Sequence, residues 1–273
     1  IAYMTGNAIL LGAEFDKIIS ILVVTVILSA ALWRGRALLV RSVAEGMAAQ
    51  SFSRFFAPEV AAQIASTERG LVPGTGALRE AAVVNLDLRG FTRFVEDRSP
   101  EEVMDLLNDY QNWVVPIFQR HGGSIDKFLG DGVLATFGAA VPSETAAADA
   151  LRALEDVLAE GEAWYAARVR AGRPAARVNG ALATGRVLFG TIGDESRLEV
   201  TVIGDPVNLC AKLEKHNKVL RSTGIVAASA RDLAVAQGYQ GAMAGADVLT
   251  TSVAGVDQAV EVVAFRMPAP ALR

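Results

Sequence analysis

The chain is poor in the residues that cross-link small folds or hold structural metals. Its single cysteine, Cys210, cannot form a disulfide within one chain. Its two histidines, His121 and His216, lie far apart in the sequence, which disfavours a structural zinc site. The formal net charge of -4 gives no basic footprint, so nucleic acid is not an expected partner. These absences favour a protein that folds around a hydrophobic core in a reducing compartment.

Charge is absent from one stretch near the N-terminus, where residues 17–33 read KIISILVVTVILSAALW. As a helix, its apolar part would be roughly 24 Å long, somewhat short of the roughly 30 Å hydrocarbon core of a bilayer. Snorkelling of Lys17 and an interfacial Trp33 would allow it to cross. We therefore predict a transmembrane helix in contact with membrane lipid, and the alternative is a buried core helix.

The charges that flank this stretch are asymmetric. Acidic residues precede it and arginines follow it: Glu14, Asp16, Arg34, Arg36 and Arg41. A secretory signal peptide has the reverse order, with its positive charges first. The positive-inside rule therefore predicts an inner-membrane protein whose later residues are cytoplasmic.

The chain divides into several parts by composition. Residues 1–16 are interpreted as the end of an upstream membrane or extracytoplasmic region, and residues 17–33 as the membrane span. Residues 34–76 form a predicted helical linker that ends in the glycine- and proline-rich loop GLVPGTG. Residues 77–267 form the predicted globular domain, and residues 268–273 form a tail.

Strand and helix patterns interleave through the globular domain. Strands are predicted over Ala81–Asp87, Ser124–Leu129, Val133–Phe137, Arg177–Thr184, Val187–Gly190, Leu198–Ile203, Ile225–Ala228 and Gln258–Arg266. Helices are predicted after the capping box of Ser99 and Glu102, over Ser143–Arg170, after Asp205-Pro206 and over 230–237. The mixture of hairpins and crossovers indicates an α+β fold with a mixed or mainly antiparallel sheet.

Two aspartates end apolar strand-like runs next to glycines. Asp87 lies in VVNLDLRGFT and Asp131 in KFLGDGV. Each alone is typical of a turn or a helix cap. As a pair of hard oxygen ligands near a backbone anion nest at Gly90, they fit Mg²⁺ or Mn²⁺ bound together with phosphates. That arrangement catalyses attack on phosphorus.

A second pair of polar residues follows Asp205-Pro206. Asn208 and Lys212 lie one helical turn apart, so they share a helix face. An amide and an ammonium there could orient a ribose and neutralise a phosphoryl group in the transition state. The alternative is an exposed polar face of an ordinary surface helix.

Several stretches in this order resemble the class III nucleotidyl cyclases, the adenylyl and guanylyl cyclase family. They are FSRFFAPEVAAQI, VVNLDLRGFT, IDKFLGDGVLATFG, GTIGDESRLEVTVIGDPVNL and AVEVVAF, and they cover about residues 50–267. TVIGDPVNL resembles a bacterial, membrane-anchored branch that carries threonine where other members carry aspartate. The resemblance implies a ferredoxin-like βαββαβ core and a homodimer with catalytic sites at the subunit interface.

The resemblance also implies the role of each matching residue at the metal and phosphate end. Asp87, Asp131 and the Leu88 carbonyl would bind two Mg²⁺ (or Mn²⁺) ions per active site. The β- and γ-phosphates would be held by the backbone amides of Arg89, Gly90, Phe91 and Thr92. This half of each site would come from one chain.

The second chain would supply the rest of the same site. Lys127 and Thr201 would read the purine edge, Asn208 would position the ribose, and Lys212 would stabilise the transition state. Lysine can donate to the adenine N1 acceptor and Thr201 can accept from the 6-amino group, so ATP is the expected substrate. The expected reaction is attack of the ribose 3′-OH on the α-phosphate, which gives 3′,5′-cyclic AMP and pyrophosphate.

Two positions depart from the family pattern. Lys212 replaces the usual arginine, which turns a bidentate fork into a point charge. Late in the domain, Val253-Ala254-Gly255 stands where family members often carry a phosphate-binding lysine or arginine. Both departures lower the expected activity without changing the expected class.

Three alternatives stay open. A guanylate cyclase is opposed by Lys127, because guanylyl members usually carry glutamate there. A low-activity regulatory module that only dimerises is opposed by the retained Asp87, Asp131 and Asn208. A palm-type polymerase or diguanylate cyclase would share the two-metal logic, but it should show a Gly-Gly-Asp/Glu-Glu-Phe-like turn, which the sequence lacks around Asp131.

Overall fold

The computed structural model describes residues 15–36, 74–194 and 197–265, and the chain divides into two compact units, Ile1–Phe56 and Ala57–Arg273. Most of the predicted linker and the whole predicted tail lie outside the described residues. The described part of the first unit is helix α1, Phe15–Arg36. It has 22 residues and a mean hydropathy of 2.2 over its most apolar window, none of which is buried. Its length of roughly 33 Å and its composition are sufficient to cross a bilayer.

The second unit alternates strands with helices. Its strands are β1 (Gly76–Leu88), β2 (Ser124–Leu129), β3 (Gly132–Phe137), β4 (Val178–Gly193), β5 (Leu198–Ile203), β6 (Gly224–Ala227), β7 (Leu249–Thr251) and β8 (Val260–Phe265). Its helices are α2 (Phe91–Glu96), α3 (Pro100–Arg120), α4 (Ala146–Arg170), α5 (Asp205–Leu220) and α6 (Ala228–Ala236).

The strands form one mixed sheet, as the sequence predicts. Its order is β2-β3-β1-β4-β6-β8-β7, and β5 pairs with the far half of β4. The β4–β6 pair is parallel and the other pairs are antiparallel. The arrangement of β2, β3, β1 and β4 is that of a ferredoxin-like βαββαβ core, which confirms the expected fold.

Helices cover both faces of the central strands. A side chain at Gly180 of β4 would meet Leu154 of α4, whereas one at Gly185 would meet Pro206 of α5. Gly180 and Gly185 differ by an odd number of residues, so they face opposite sides of the sheet. Residues 81–86 of β1 are accordingly buried on both faces, as their lack of alternation predicts. The predicted site residue Asp87 lies near the end of one of these covered strands, β1.

Some boundaries of helices and strands agree with local sequence signals, and others do not. The predicted capping box is present at the start of α3, where Ser99 accepts from the Glu102 amide and Glu102 accepts from the Ser99 amide. The two strands predicted around Gly185 are instead one strand, β4, because its pairing with β1 continues in register through that glycine. The short elements α2 and β7 were not predicted. Each has too few residues for a periodic pattern to be detected.

Candidate active site

The end of β1 brings the two predicted metal-binding aspartates together. Leu86 pairs with Val133 of β3, so Asp87 lies level with the turn that joins β2 and β3. Asp131 occupies that turn, directly after Gly130, whose φ of 68° makes the reversal possible. The two carboxyl groups are in hydrogen-bond contact. The antiparallel register of β1 and β3 therefore places Asp87 and Asp131, which are distant in the sequence, next to each other.

A third carboxylate approaches this pair from α5. Burial, then the hydrogen bond and charge of Asp131, then the charge of Glu214 raise the pKa of Asp87 to about 7. Glu214 is 5% exposed, and burial raises its own pKa to about 7. We refer to Asp87, Asp131 and Glu214 as the aspartate cluster. Its carboxylates repel one another when ionised, so the cluster favours protons or a cation.

Glu214 was not among the predicted site residues. The signal that could have found it is its spacing on α5, where Cys210, Leu213, Glu214 and Asn217 are all buried. Their spacing is that of an apolar helix face. Burial of an acidic side chain on such a face costs free energy unless the carboxylate is paired or binds a metal ion.

The aspartate cluster fits divalent cations. Burial and the neighbouring carboxylates raise the pKa of Asp87, and a bound divalent ion would remove the repulsion between the carboxylates. The described residues contain no group of three or more His, Cys, Asp and Glu side chains arranged to hold a metal ion. Further ligands would have to come from backbone carbonyls, water or substrate phosphates. The role of the buried Leu88 carbonyl stays a prediction.

Hydrogen bonds in the segment after Asp87 contradict one part of the predicted phosphate-binding site. The Arg89 amide donates to the Arg177 carbonyl at 2.8 Å, so it extends the β1–β4 ladder and is not available to an anion. The Arg89 guanidinium donates to the Ser222 carbonyl at 2.6 Å. Gly90 has a φ of 78° and precedes α2, whose first N–H groups, those of Phe91 and Thr92, have no acceptor within the helix. Their binding of phosphate stays a prediction.

The two predicted purine-reading residues meet at a shared carboxylate. Thr201 Oγ1 on β5 donates to Asp126 Oδ2 at 3.2 Å, and Lys127 Nζ on β2 lies 3.6 Å from the same oxygen. Lys127 also forms an ion pair with Glu199 of β5. We call Asp126, Lys127, Glu199 and Thr201 the lysine cluster. Asp126 and the partner role of Glu199 were not predicted.

An irregularity in β2 explains how Asp126 and Lys127 reach one cluster. Consecutive residues of a regular strand face opposite sides of a sheet. The β2–β3 register shifts between Ile125 and Lys127, so Asp126 is the extra residue of a bulge, and bulges re-aim side chains. Burial raises the pKa of Asp126, while the Lys127 charge and the hydrogen bond from Thr201 oppose that rise.

The remaining predicted pair lies on α5. Gly204 is the N-cap of this helix, Pro206 lies in its first turn, and Asn208, which follows, is exposed. Lys212 donates to the carbonyl of Gly255, whose φ is 77°. The loop that Lys212 contacts is the triplet Val253-Ala254-Gly255, where the sequence lacks the expected charge. The two departures from the family pattern are therefore neighbours.

Comparison with protein families decides the assignment of this domain. A model described as the adenylate and guanylate cyclase catalytic domain matches residues 76–225, from the start of β1 into β6. The chain belongs to this family. The domain is thus a class III nucleotide cyclase domain, a class of protein used in signal transduction.

Relatives with similar sequences match about three fifths of this chain and less than a third of their own length. Adenylate cyclase 1 of Rhizobium meliloti is 33% identical over 171 residues, which are 61% of this chain and 26% of that protein. An uncharacterized protein of Mycobacterium tuberculosis is 38% identical over 167 residues, 59% of this chain and 28% of that protein. The matched region thus spans between a quarter and a third of these curated relatives.

Solved structures confirm the cyclase fold. The guanylyl cyclase Cya2 is 26% identical, with a TM-score of 0.61 over 71% of this chain and 96% of that chain. A bacterial light-regulated adenylyl cyclase has a TM-score of 0.67 over 83% of this chain and 63% of that chain, at 22% identity. The likeness extends to relatives of both nucleotide specificities.

The cyclase domain thus carries two clusters built on one hairpin. The β2–β3 hairpin holds Asp131 in its turn and Asp126 and Lys127 in its first strand. The turn contributes to the aspartate cluster, and the first strand contributes to the lysine cluster. The family resemblance implies that these two groups belong to different protomers of one site.

Proposed function

We propose that this protein is an adenylate cyclase that converts ATP to 3′,5′-cyclic AMP and pyrophosphate, and that it acts as a homodimer. The observation that supports this most is the lysine cluster. Lys127 and Thr201 come from strands far apart in the sequence, yet both contact Asp126 Oδ2. An ammonium donor beside a hydroxyl acceptor matches the edge of adenine, which offers an N1 acceptor and a 6-amino donor.

The same pair disfavours guanine. Guanine carries a proton on N1 and an oxygen at position 6, so it presents the reverse pattern of donors and acceptors. A lysine held by Glu199 would face the N1 proton with another donor. A site built for one pattern rejects the other because buried polar groups are left unpaired.

The aspartate cluster supports a reaction at phosphorus. Asp87 and Asp131 would hold two Mg²⁺ or Mn²⁺ ions, with the Leu88 carbonyl as a further ligand. When bound, such ions would make the ribose 3′-OH more acidic and neutralise the charge of the leaving pyrophosphate. The protein needs no covalent intermediate, so positioning and charge neutralisation would supply most of the rate.

The residues of α5 would complete the site from the other protomer. Asn208 would hold the ribose in the orientation that the 3′-OH needs for attack. Lys212 would place its charge against the phosphoryl oxygens in the transition state. Because Lys212 donates to the Gly255 carbonyl, it would have to exchange this bond for a phosphate oxygen.

An exposed apolar strip supports dimerisation. Leu78 pairs with Leu188, and Leu188 pairs with Ile203, so the three side chains lie side by side across β1, β4 and β5. They are 65%, 42% and 48% exposed. A contiguous apolar strip of this kind is typical of a surface that another chain covers. A second copy would bury it and bring the two half-sites together.

Helix α1 would anchor the enzyme in the inner membrane with the cyclase domain in the cytoplasm. Its apolar residues are exposed along its length, and charged residues lie at both ends. A signal could then reach the dimer through a shift or rotation of the helices that precede the domain.

Product analysis of the purified full chain tests the proposal. We expect cyclic AMP from ATP with Mg²⁺ or Mn²⁺, and much less cyclic GMP from GTP. A preference for GTP would favour a guanylate cyclase, the activity named for Cya2. Binding of ATP with no product under either metal would favour a regulatory module, which the neighbouring departures at Lys212 and Ala254 make the second candidate.

A further inference from the structure

Asp126 is a buried carboxylate to which neither the motifs nor the proposed reaction assigns a role. Its side chain is 4% exposed, and it lies at the bulge of β2. A buried carboxylate is costly unless hydrogen-bond donors surround it. The groups that face Asp126 therefore indicate what it is for.

Apart from the Glu199 carboxylate, whose charge also acts on Asp126, those groups are all donors. The Thr201 hydroxyl donates to Asp126 Oδ2 at 3.2 Å, and the Lys127 ammonium lies 3.6 Å from the same oxygen. The backbone amide of Val202 also faces this carboxylate. Of these three, the ammonium and the amide can only donate, whereas the hydroxyl could also accept. Thr201 is thus the partner whose role depends on the charge of Asp126.

The hydroxyl of Thr201 has a single hydrogen. The acceptors beside it are Asp126 Oδ2 at 3.2 Å and the Val202 carbonyl at 3.5 Å, and the first is the better bond. Once that hydrogen is used within the protein, the oxygen can only accept from a ligand. An acceptor at this position pairs with a 6-amino group and not with a 6-oxo group.

We infer that Asp126 is a positioning residue for purine selectivity, because it takes the Thr201 hydrogen and leaves the Thr201 oxygen as an acceptor for the 6-amino group of adenine. The inference rests on the proposed adenylate cyclase activity. It assigns the choice at purine position 6 to a carboxylate that does not itself touch the base.

Substitution of Asp126 by asparagine should reverse the direction of the hydrogen bond between this side chain and the Thr201 hydroxyl. The asparagine oxygen would face the Val202 amide, which can only donate, so the NH₂ group would take the position of Oδ2. Lys127 lies 3.6 Å from that position and would keep its ion pair with Glu199. The NH₂ group would donate to the Thr201 oxygen. The Thr201 hydrogen would be released toward the substrate, where it opposes a 6-amino group. The change keeps the size and shape of the side chain.

The test compares ATP with purine riboside 5′-triphosphate, which keeps the N1 acceptor and lacks the 6-amino group. The full chain is assayed in detergent with Mn²⁺, and the ratio of the two kcat/KM values is measured. The wild type should prefer ATP by about fivefold or more, the effect of one hydrogen bond. Asp126→Asn should bring the ratio to about one or below. A merely structural defect would lower both kcat/KM values and leave their ratio unchanged.

Two further variants isolate the effect. Glu199→Gln contacts Lys127 and not Thr201, so it should lower both kcat/KM values and keep the wild-type ratio. Thr201→Val should remove the preference for ATP, and Asp126→Asn added to it should change the ratio no further. Thr201→Val also tests the inference if Asp126→Asn fails to fold, since a retained preference in Thr201→Val would overturn it.

The outcomes separate this inference from the function on which it rests. A wild type that forms no cyclic AMP overturns the proposed function and the inference with it. An active wild type that prefers ATP, together with an Asp126→Asn variant of unchanged ratio, overturns the inference alone.

Discussion

The two clusters of the cyclase domain solve opposite electrostatic problems. The aspartate cluster gathers Asp87, Asp131 and Glu214, and burial followed by the neighbouring carboxylates raises the pKa of Asp87 to about 7. The lysine cluster sets Lys127 between Asp126 and Glu199, so each carboxylate has a cation beside it. In the proposed enzyme, cations would complete the first cluster, and the second would receive an uncharged base. This difference in charge indicates that the aspartate cluster is the half of the proposed site that needs its ligand to offset its charges.

The two clusters share one supporting hairpin. Asp131 lies in the β2–β3 turn, and Lys127 lies in the strand that leads into it. In the proposed dimer, each hairpin would contribute its turn to one site and its strand to the other. The catalytic sites would then be coupled through a rigid element, and the dimer contact would itself be part of catalysis.

The largest effect is expected from removing the aspartate cluster. Asp87→Ala or Asp131→Ala should lower cyclase kcat/KM by at least about 10³-fold, because the cation site contributes several kcal/mol to the transition state. The measurement is cyclic AMP formation with Mg²⁺ and with Mn²⁺. Asp247→Ala, at an exposed aspartate outside both clusters, is the matched control. Undiminished activity of Asp87→Ala would overturn the metal assignment.

Mixing inactive chains tests whether the two clusters act across protomers. Asp87→Ala and Asn208→Ala are damaged in different halves, so a mixed dimer would hold one intact site. Random pairing makes half of the dimers mixed, which predicts recovery to roughly a quarter of wild-type activity. A mixture of Asp87→Ala with Asp131→Ala should recover nothing, because both damage the same half. Absence of recovery in the first mixture would place both halves in one chain.

Reversal of the charge at Lys127 should change nucleotide choice. Lys127→Glu should lower kcat/KM for ATP by about 100-fold and lower that for GTP far less, since the donor to N1 becomes an acceptor. Glutamate at this position would also repel Glu199 and Asp126. The double variant Lys127→Glu with Glu199→Gln reduces that repulsion and serves as the control. Equal losses for ATP and GTP in the double variant would count against purine reading by Lys127.

The smallest effect concerns stability without metal. The pKa of Asp87 is raised to about 7 in the folded state, so the unfolded chain loses this proton at lower pH than the folded chain does. Folding stability should therefore fall as pH rises from about 4 to about 7. At pH 8 without divalent ions, Asp87→Asn should be more stable than the wild type by about 1–2 kcal/mol, a value discounted for solvent screening. The difference should vanish near pH 4.

Thermal melts with and without Mg²⁺ measure this effect. The ion should stabilise the wild type and have little effect on Asp87→Asn, since a ligand of the folded state adds stability only where it binds. Asp247→Asn should behave as the wild type does. A wild type that melts above Asp87→Asn in the absence of metal would contradict the electrostatic account of the aspartate cluster.

Local patterns in the sequence predicted much of the fold. The capping box at Ser99 and the turn at Asp131 each depend on a few neighbouring residues, and both were found where expected. The predicted strand break at Gly185 was wrong, because β4 pairs continuously with β1 through this residue. A strand boundary is decided by its partners as much as by its own residues.

The candidate site, like the fold, could be predicted from the sequence only in part. The pairing of Asp87 with Asp131 and of Lys127 with Thr201 was expected from motif order and resemblance, and both pairs do meet. Their supports, Glu214 and Asp126, were not expected. Each supporting residue is distant in sequence from the group it serves or reaches it through a bulge, and no local pattern encodes such a contact.

The sequence by itself determined the family through short motifs, and the family resemblance implied the ferredoxin-like core and the candidate site residues. Only the tertiary structure decided the surroundings of those residues. It engaged the Arg89 amide with Arg177, set Lys212 against Gly255, and enclosed Thr201 and Lys127 with carboxylates. The reason is that hydrogen-bond partners and burial depend on the register of strands and the seating of α5, which join residues far apart in the chain.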